Sequence, residues 1–190
     1  KRKLLMNEKK YPIGMVAFEL PVILFAPHSV DLVSGEPVLR RNEIDNFLCI
    51  ISRNFNNELS RYRTVLKNRN AVIKNIREGR SERGELNFWT EEIGKIAEII
   101  SRERISLVRE IQSYINDSVS TLNFFVNGEG FSDLEIKYIQ NVEGTEGNFR
   151  EQLLKKYNEN IEKEIVVGKT LYGIHKDDFT LNLNGKNLRY

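Results

Sequence analysis

Cysteine is nearly absent from this sequence: Cys49 stands alone among 190 residues. One thiol excludes an internal disulfide framework and suits a reducing, cytoplasmic setting. Its neighbours Leu48 and Ile50 make it a small buried hydrophobe rather than a nucleophile. Long apolar runs are missing as well. None approaches the ~20 residues of a membrane span, so no membrane partner is expected. The Lys1–Met6 stretch is basic but lacks the hydrophobic region of a signal peptide. It also lacks an initiator methionine, and the chain is expected to be part of a longer protein. Histidine occurs only at His28 and His175, which leaves no second cluster to complete a histidine-built metal shell.

A phosphate loop is absent too, although Gly168-Lys169-Thr170 resembles the end of one. The spacing G-x-x-x-x-G-K-[ST] requires glycine at 163, where Lys163 stands. The β-branched run Ile165-Val166-Val167 favours extended chain over a tight anion-binding turn. No helix N-terminus follows to face a phosphate.

What is present is ordinary for a globular domain, with 40% hydrophobic and 29% charged residues. The net charge of +2 hides an asymmetry. Between Arg53 and Arg83 lie nine basic and three acidic residues, a local balance of +6 that leaves −4 for the remainder.

Along the chain, polar residues around Asn7–Lys10 predict a hairpin, and the apolar run Pro21–Pro27 predicts a buried strand. After Glu36-Pro37 a helical stripe runs through Ile44, Leu48, Ile51, Phe55, Leu59, Tyr62, Leu66, Ile73 and Ile76. A polar tip at 77–84 separates it from a second stripe through Leu86, Trp89, Ile93, Ile96, Ile100, Val108, Ile111 and Ile115. Two such stripes predict an antiparallel helical arm. The segments "STLNFFV" and "SDLEIKYIQ" alternate like strands about a turn at Asn127–Gly130. A shorter helix with Phe149, Leu153, Tyr157 and Ile161 follows, and Asn184-Gly185 predicts a closing hairpin. The fold class expected is α+β, a long helical hairpin flanked by strands.

Three constellations bear on chemistry. His175, Asp177 and Asp178 are sequence neighbours, and adjacent strand residues face opposite ways; a solvated turn at a strand start is expected, with no metal. The basic helix from Arg53 to Arg83 suits phosphate-backbone contact through Arg61, Arg63, Lys67 and Lys74, or else is a solvated helix face. Arg69 and Arg104 lie on their helices' apolar lines and are expected to snorkel or pair. Arg40-Arg41 opens a helix against the dipole, with Asp45 one turn on placed to offset it. No catalytic constellation is present.

The stretch "VILFAPHSVDLVSGEPVLRRNEID" resembles the RecF family of DNA-repair ATPases, whose pattern Pro27, Leu32, Val33, Gly35, Pro37, Arg40, Arg41 and Asp45 match. "YRTVLKNRN" resembles that family's Tyr-x-x-(Leu/Val)-Leu-x-x-Arg-Asn segment, and "LNFWTEEI" its Leu-x-x-Trp-Asp-x-x-Leu. "GKTLYGIHKDD" is similar to its Gly-x-Thr-x-x-Gly-Pro-His-(Arg/Lys)-Asp-Asp block. This chain departs at His28-Ser29, where the family has an acidic pair, and at Ile174 in place of proline.

The resemblance implies part of an ABC-type, SMC-like ATPase head with a helical lobe. Residues 1–40 and 169–190 would be head strands, with a Q-loop-like segment at 26–36. Residues 41–118 would form the arm and 119–168 would complete the lobe. Walker A would precede this segment, and the signature loop and Walker B would follow it. The complete protein would use ATP and Mg, close an ATP-dependent homodimer on double-stranded or gapped DNA, and work with RecR and RecO. His28, Ser29, His175, Lys176, Asp177 and Asp178 would lie near the nucleotide interface, and the segment alone would hydrolyse nothing. The alternative is a helical docking arm of an SMC-like repair or chromosome-maintenance protein.

Overall fold

The structure is a computed structural model that describes residues 5–6, 8–10, 31–125, 133–145 and 147–189. Near the N-terminus β1 (Leu5–Met6) pairs antiparallel with β2 (Lys9–Lys10), the hairpin expected from the polar residues there. The Pro21–Pro27 run, His28, Ser29 and the Asn127–Gly130 turn lie outside the described residues.

A short helix α1 (Asp31–Ser34) precedes α2 (Pro37–Ile51). Pro37 sits in the first turn of α2, where its missing N–H has no helical partner to lose. The stripe expected to run on from Ile44 to Ile76 is interrupted at Ser52. That residue is extended (φ −135°, ψ 109°), and its Oγ accepts from the Phe55 N–H at 3.1 Å to open α3 (Arg53–Arg77). Serine is among the strongest helix-starting residues, and periodicity alone does not register a one-residue break. The break also turns the stripe: Ile51, expected on the buried line, is 58% exposed, while Leu48 and Phe55 are buried.

After the tip, α4 (Glu85–Phe125) returns for 41 residues, about 60 Å at 1.5 Å per residue. Phe55, Leu59 and Tyr62 of α3 share one core with Ile93, Ile96, Ala97 and Ile100 of α4, the expected hairpin. Ser120–Phe125, expected as a strand, instead continues α4. Adding residues to an existing helix needs no new nucleus, which outweighs a short alternating pattern.

The C-terminal sheet is antiparallel, in the order β3 (Leu134–Ile139), β4 (Asp178–Leu183), β5 (Lys186–Asn187). Its register runs from Leu134 opposite Leu183 to Ile139 opposite Asp178. Asn184 and Gly185, with φ of 49° and 74°, make the tight turn between β4 and β5. β3 leans on α4, where the Gln112 amide donates to the Leu134 carbonyl and accepts from the Ile136 N–H.

Between β3 and β4 runs α5 (Phe149–Val167), packed on both α3 and α4 through buried Leu153 and Tyr157. Ile165–Val167, expected extended, forms its last turn. Propensity differences of a few tenths of a kcal/mol per residue yield there to the burial of Glu164 and the cap at Gly168.

Candidate functional site

The segment Gly168–Asp178 joins α5 to β4 and lies along α3. Gly168 closes α5 in the left-handed conformation (φ 79°), with the Arg77 guanidinium against its α-carbon. So the "GKT" is a helix end, not a phosphate loop, as expected. Thr170 is buried; its N–H donates to Asn70 Oδ1 at 2.7 Å, and its hydroxyl accepts from Arg69 at 2.7 Å.

Arg69 has no exposed surface, and neither has Glu164. Their ion pair is 2.7 Å long, Arg69 also donates to Thr90 at 3.2 Å, and its guanidinium lies 4.1 Å from the Tyr157 ring centroid. The other Glu164 oxygen accepts from the Leu171 N–H at 2.8 Å. Gly173 adopts φ 120°, ψ 180°, and a Cβ there would come within 3.0 Å of the Tyr157 hydroxyl. A short 3-10 turn, Ile174–Lys176, follows. His175 Nδ1 and the Tyr62 hydroxyl share a hydrogen bond of 2.9 Å.

The turn before β4 was expected to be solvated. Instead Asp177 is 1% exposed. It accepts from the Tyr138 hydroxyl and from the Asn141 N–H at 2.7 Å, with Arg104 at 3.7 Å. Burial pushes its carboxyl pKa up against these stabilising contacts. Asp178, as expected, faces elsewhere: it takes a two-pronged bond from Arg40, 2.8 Å on each oxygen. Arg40 also holds the Val33 and Gly35 carbonyls, fixing the chain that enters α2. Arg41 donates to the Asp177 carbonyl. The arginine pair at the start of α2 is therefore offset by this turn and not by Asp45, as sequence spacing suggested.

Asp45 is instead the partner of Arg104, through two bonds of 2.8 and 2.9 Å. Both groups are buried, and Arg104 also donates to the Ile174 carbonyl at 2.8 Å. Burial is the largest single influence on the Arg104 pKa and would lower it; the bonds and charges of Asp45 and Tyr138 together outweigh it and raise the value. The four blocks that carry the family resemblance thus meet at one turn. Tyr62, Arg69 and Asn70 of the hairpin and Arg40 and Arg41 of α2 bond to 168–178 directly, while Thr90 joins through Arg69 and Asp45 through Arg104. Sequence reasoning missed Tyr138, Asn141 and Glu164, which are polar side chains without a chemical signature of their own.

His175 carries a pH consequence. Burial first, then the charges of Lys176 and Arg41, lowers its pKa to about 4. A histidine depressed in the folded state takes up its proton first in the unfolded chain. Its contribution is therefore present above the unfolded value near 6.5 and is lost as pH falls toward 4. Between pH 6.5 and 5 this amounts to about 2 kcal/mol. Urea unfolding at the two pH values should show that loss, and His175→Gln should remove most of it. The raised Asp177 pKa acts in the opposite sense.

The proposed phosphate-contact residues sit differently. Arg61, Arg63, Lys67 and Lys74 are all exposed. At 100° per residue Arg63, Lys67 and Lys74 share one edge of α3 within about 40°, with Asn70 about 20° to one side. Arg61 lies on the far flank, paired with Glu58 at 3.0 Å and Glu92 at 3.5 Å. Among the described residues no group of histidine, cysteine and carboxylates is placed to hold a metal, and no helix is long and apolar enough to cross a membrane. A groove of about 750 Å³ runs between α4 and β3, its lining of mixed charge.

No family model matches the chain. It is similar to the DNA replication and repair protein RecF of Shouchella clausii, 31% identical over 174 residues, covering 90% of this chain and 46% of that protein. The RecF of Prosthecochloris aestuarii is 29% identical over 175 residues, with the same coverage of each chain. The chain thus spans about half the length of the curated relatives it matches. Among solved structures, the recombination mediator protein RecF with ATP superposes with a TM-score of 0.83 at 23% identity, over 96% of this chain and 48% of that one. In sequence over nine-tenths of its length, and in fold over nearly all of it, this chain corresponds to a portion of RecF, the family its motifs resemble.

Proposed function

We propose that the complete protein is a RecF-like DNA recombination and repair ATPase that binds double-stranded or gapped DNA when ATP and Mg are bound. The observation that carries this reading is the 31% identity over nine-tenths of the chain to a DNA replication and repair protein. Within it, residues 1–40 and 169–190 are assigned to the ATPase head, 41–118 to the arm, and 119–168 to the rest of the lobe. The segment's own contribution is a phosphate-contacting edge on α3. From Arg61 to Arg77 there are six cations and no carboxylate. Arg63, Lys67 and Lys74 are exposed and engaged in no ion pair among the described residues.

His28, Ser29 and His175–Asp178 are proposed to border the nucleotide interface. Among the described residues of this set Lys176 is the exposed group, and Asp177 and Asp178 act by holding the turn. RecR, RecO and a second copy of the protein are the proposed partners.

Fluorescence anisotropy with a labelled duplex tests the segment directly. The logarithm of affinity should fall with the logarithm of salt at a slope of at least about −2.7, three phosphates at about 0.9 each. Arg63→Glu with Lys67→Glu should reduce the slope by about 1.8 and weaken binding by about tenfold or more. Binding indifferent to salt would favour the docking-arm reading instead.

A further inference from the structure

The 168–176 segment, which the sequence presents as a false phosphate loop, carries a second row of cations. Its nine residues include Lys169 and Lys176 and no carboxylate. Three contacts fix its course antiparallel to α3: Gly168 on Arg77, the Thr170 N–H on Asn70, and His175 on Tyr62. Lys67 and Lys74 are the helical neighbours of Asn70, three residues before and four after, so they border the segment where Lys169 emerges.

On its other side the segment meets α5. The Tyr172 hydroxyl donates to Asn160, and the Lys156 ammonium lies 5.3 Å from the Tyr172 ring centroid. Lys163, two turns beyond Lys156, follows on the same edge of α5. Lys67, Lys74, Lys163, Lys169 and Lys176 are in no ion pair among the described residues, and each of them is exposed. The buried Arg69–Glu164 pair fixes the backbone from which Lys169 projects, because Arg69 also binds Thr170 and Glu164 also binds Leu171.

We infer that α3, the 168–176 segment and the facing edge of α5 form one basic seam that seats the phosphate backbone of duplex DNA. Lys169, Lys176, Lys156 and Lys163 then add a second line of contacts to those of Lys67 and Lys74. The inference rests on the DNA-binding reading above and extends it: the arm is not the whole contact surface. Charge complementarity selects the occupant. A double row of cations, interrupted on α5 by Glu159, fits a repeating phosphate chain, whereas an acidic protein patch offers no such repeat.

The test is anisotropy with the same duplex on three charge-reversed forms of the full 190-residue chain: Lys169→Glu with Lys163→Glu in the seam, Arg63→Glu with Lys67→Glu on α3, and Arg109→Glu with Lys137→Glu beside β3 as a control of equal net charge. The altered side chains are exposed, and circular dichroism confirms that each variant is folded. The seam variant should lose about tenfold or more in affinity and about 1.8 in salt slope, and the β3 control much less. Duplex binding that responds to the α3 pair while the seam variant matches the control overturns the seam and leaves the α3 reading intact. No salt-dependent duplex binding by the unaltered chain overturns both.

Discussion

Replacing Asp45 with alanine should destabilise the fold by about 3–5 kcal/mol, the cost of leaving a buried charge uncompensated. Arg104 is the charge in question. It is buried with Asp45, holds it through two bonds of 2.8 and 2.9 Å, and reaches on to the Ile174 carbonyl. Without Asp45, the nearest remaining carboxylate is Asp177 at 3.7 Å, which is already bonded to Tyr138 and Asn141. Urea unfolding monitored by circular dichroism measures the loss. Asp45→Leu combined with Arg104→Met should recover most of it, since a well-packed apolar pair replaces a buried ion pair at little cost. Recovery should stop short of complete, because the Ile174 carbonyl loses its donor, a penalty of about 1–3 kcal/mol. A single Asp45→Ala variant as stable as the parent would mean that the pair contributes nothing.

Glu164→Ala should have an effect of the same order, about 3–5 kcal/mol, with a different spatial signature. It strands Arg69, which has no exposed surface, and also frees the Leu171 N–H. The disturbance should spread along 168–176, since Arg69 and Glu164 between them hold Thr170 and Leu171. Amide hydrogen exchange should accelerate there more than in the distant half of α4. Arg69→Lys should not preserve the site. An ammonium cannot reach Thr90, Thr170 and Glu164 at once or stack on Tyr157 with a planar group. Both substitutions loosen the turn from opposite sides, Asp45 through Ile174 and Glu164 through Thr170 and Leu171.

The helices were legible because their information is periodic. Leu86, Ile93, Ile96 and Ile100 recur at helical spacing, and all are buried. The errors came where a single residue or a long-range contact decides. Ser52 ends one helix and starts another with one hydroxyl. Ser120–Phe125 alternates in hydrophobicity yet is carried on by the preceding helix. Ile165–Val167 has β-branched side chains, but Glu164 beside them is committed to Arg69, ninety-five positions earlier in the chain. Spacing likewise put Asp45 with Arg40 and Arg41, because one helical turn separates them. The partner it has, Arg104, belongs to another helix 59 residues away. The resemblance marked the residues that converge on 168–178, but no local pattern could say that they bind one another.

The claim that the α3 edge and the neighbouring turn face DNA is tested most directly by cross-linking. The lone cysteine is removed as Cys49→Ser, and a single new one carries a benzophenone. Ala71→Cys places the probe on exposed α3 between Lys67 and Lys74, and Ser106→Cys places it on the exposed side of α4 beside β3. Neither change removes a cation. Irradiation with a labelled duplex at low salt should give a covalent adduct from position 71 and little or none from position 106. Adducts from position 106 without any from position 71 would put DNA on the other side of the molecule and contradict the account.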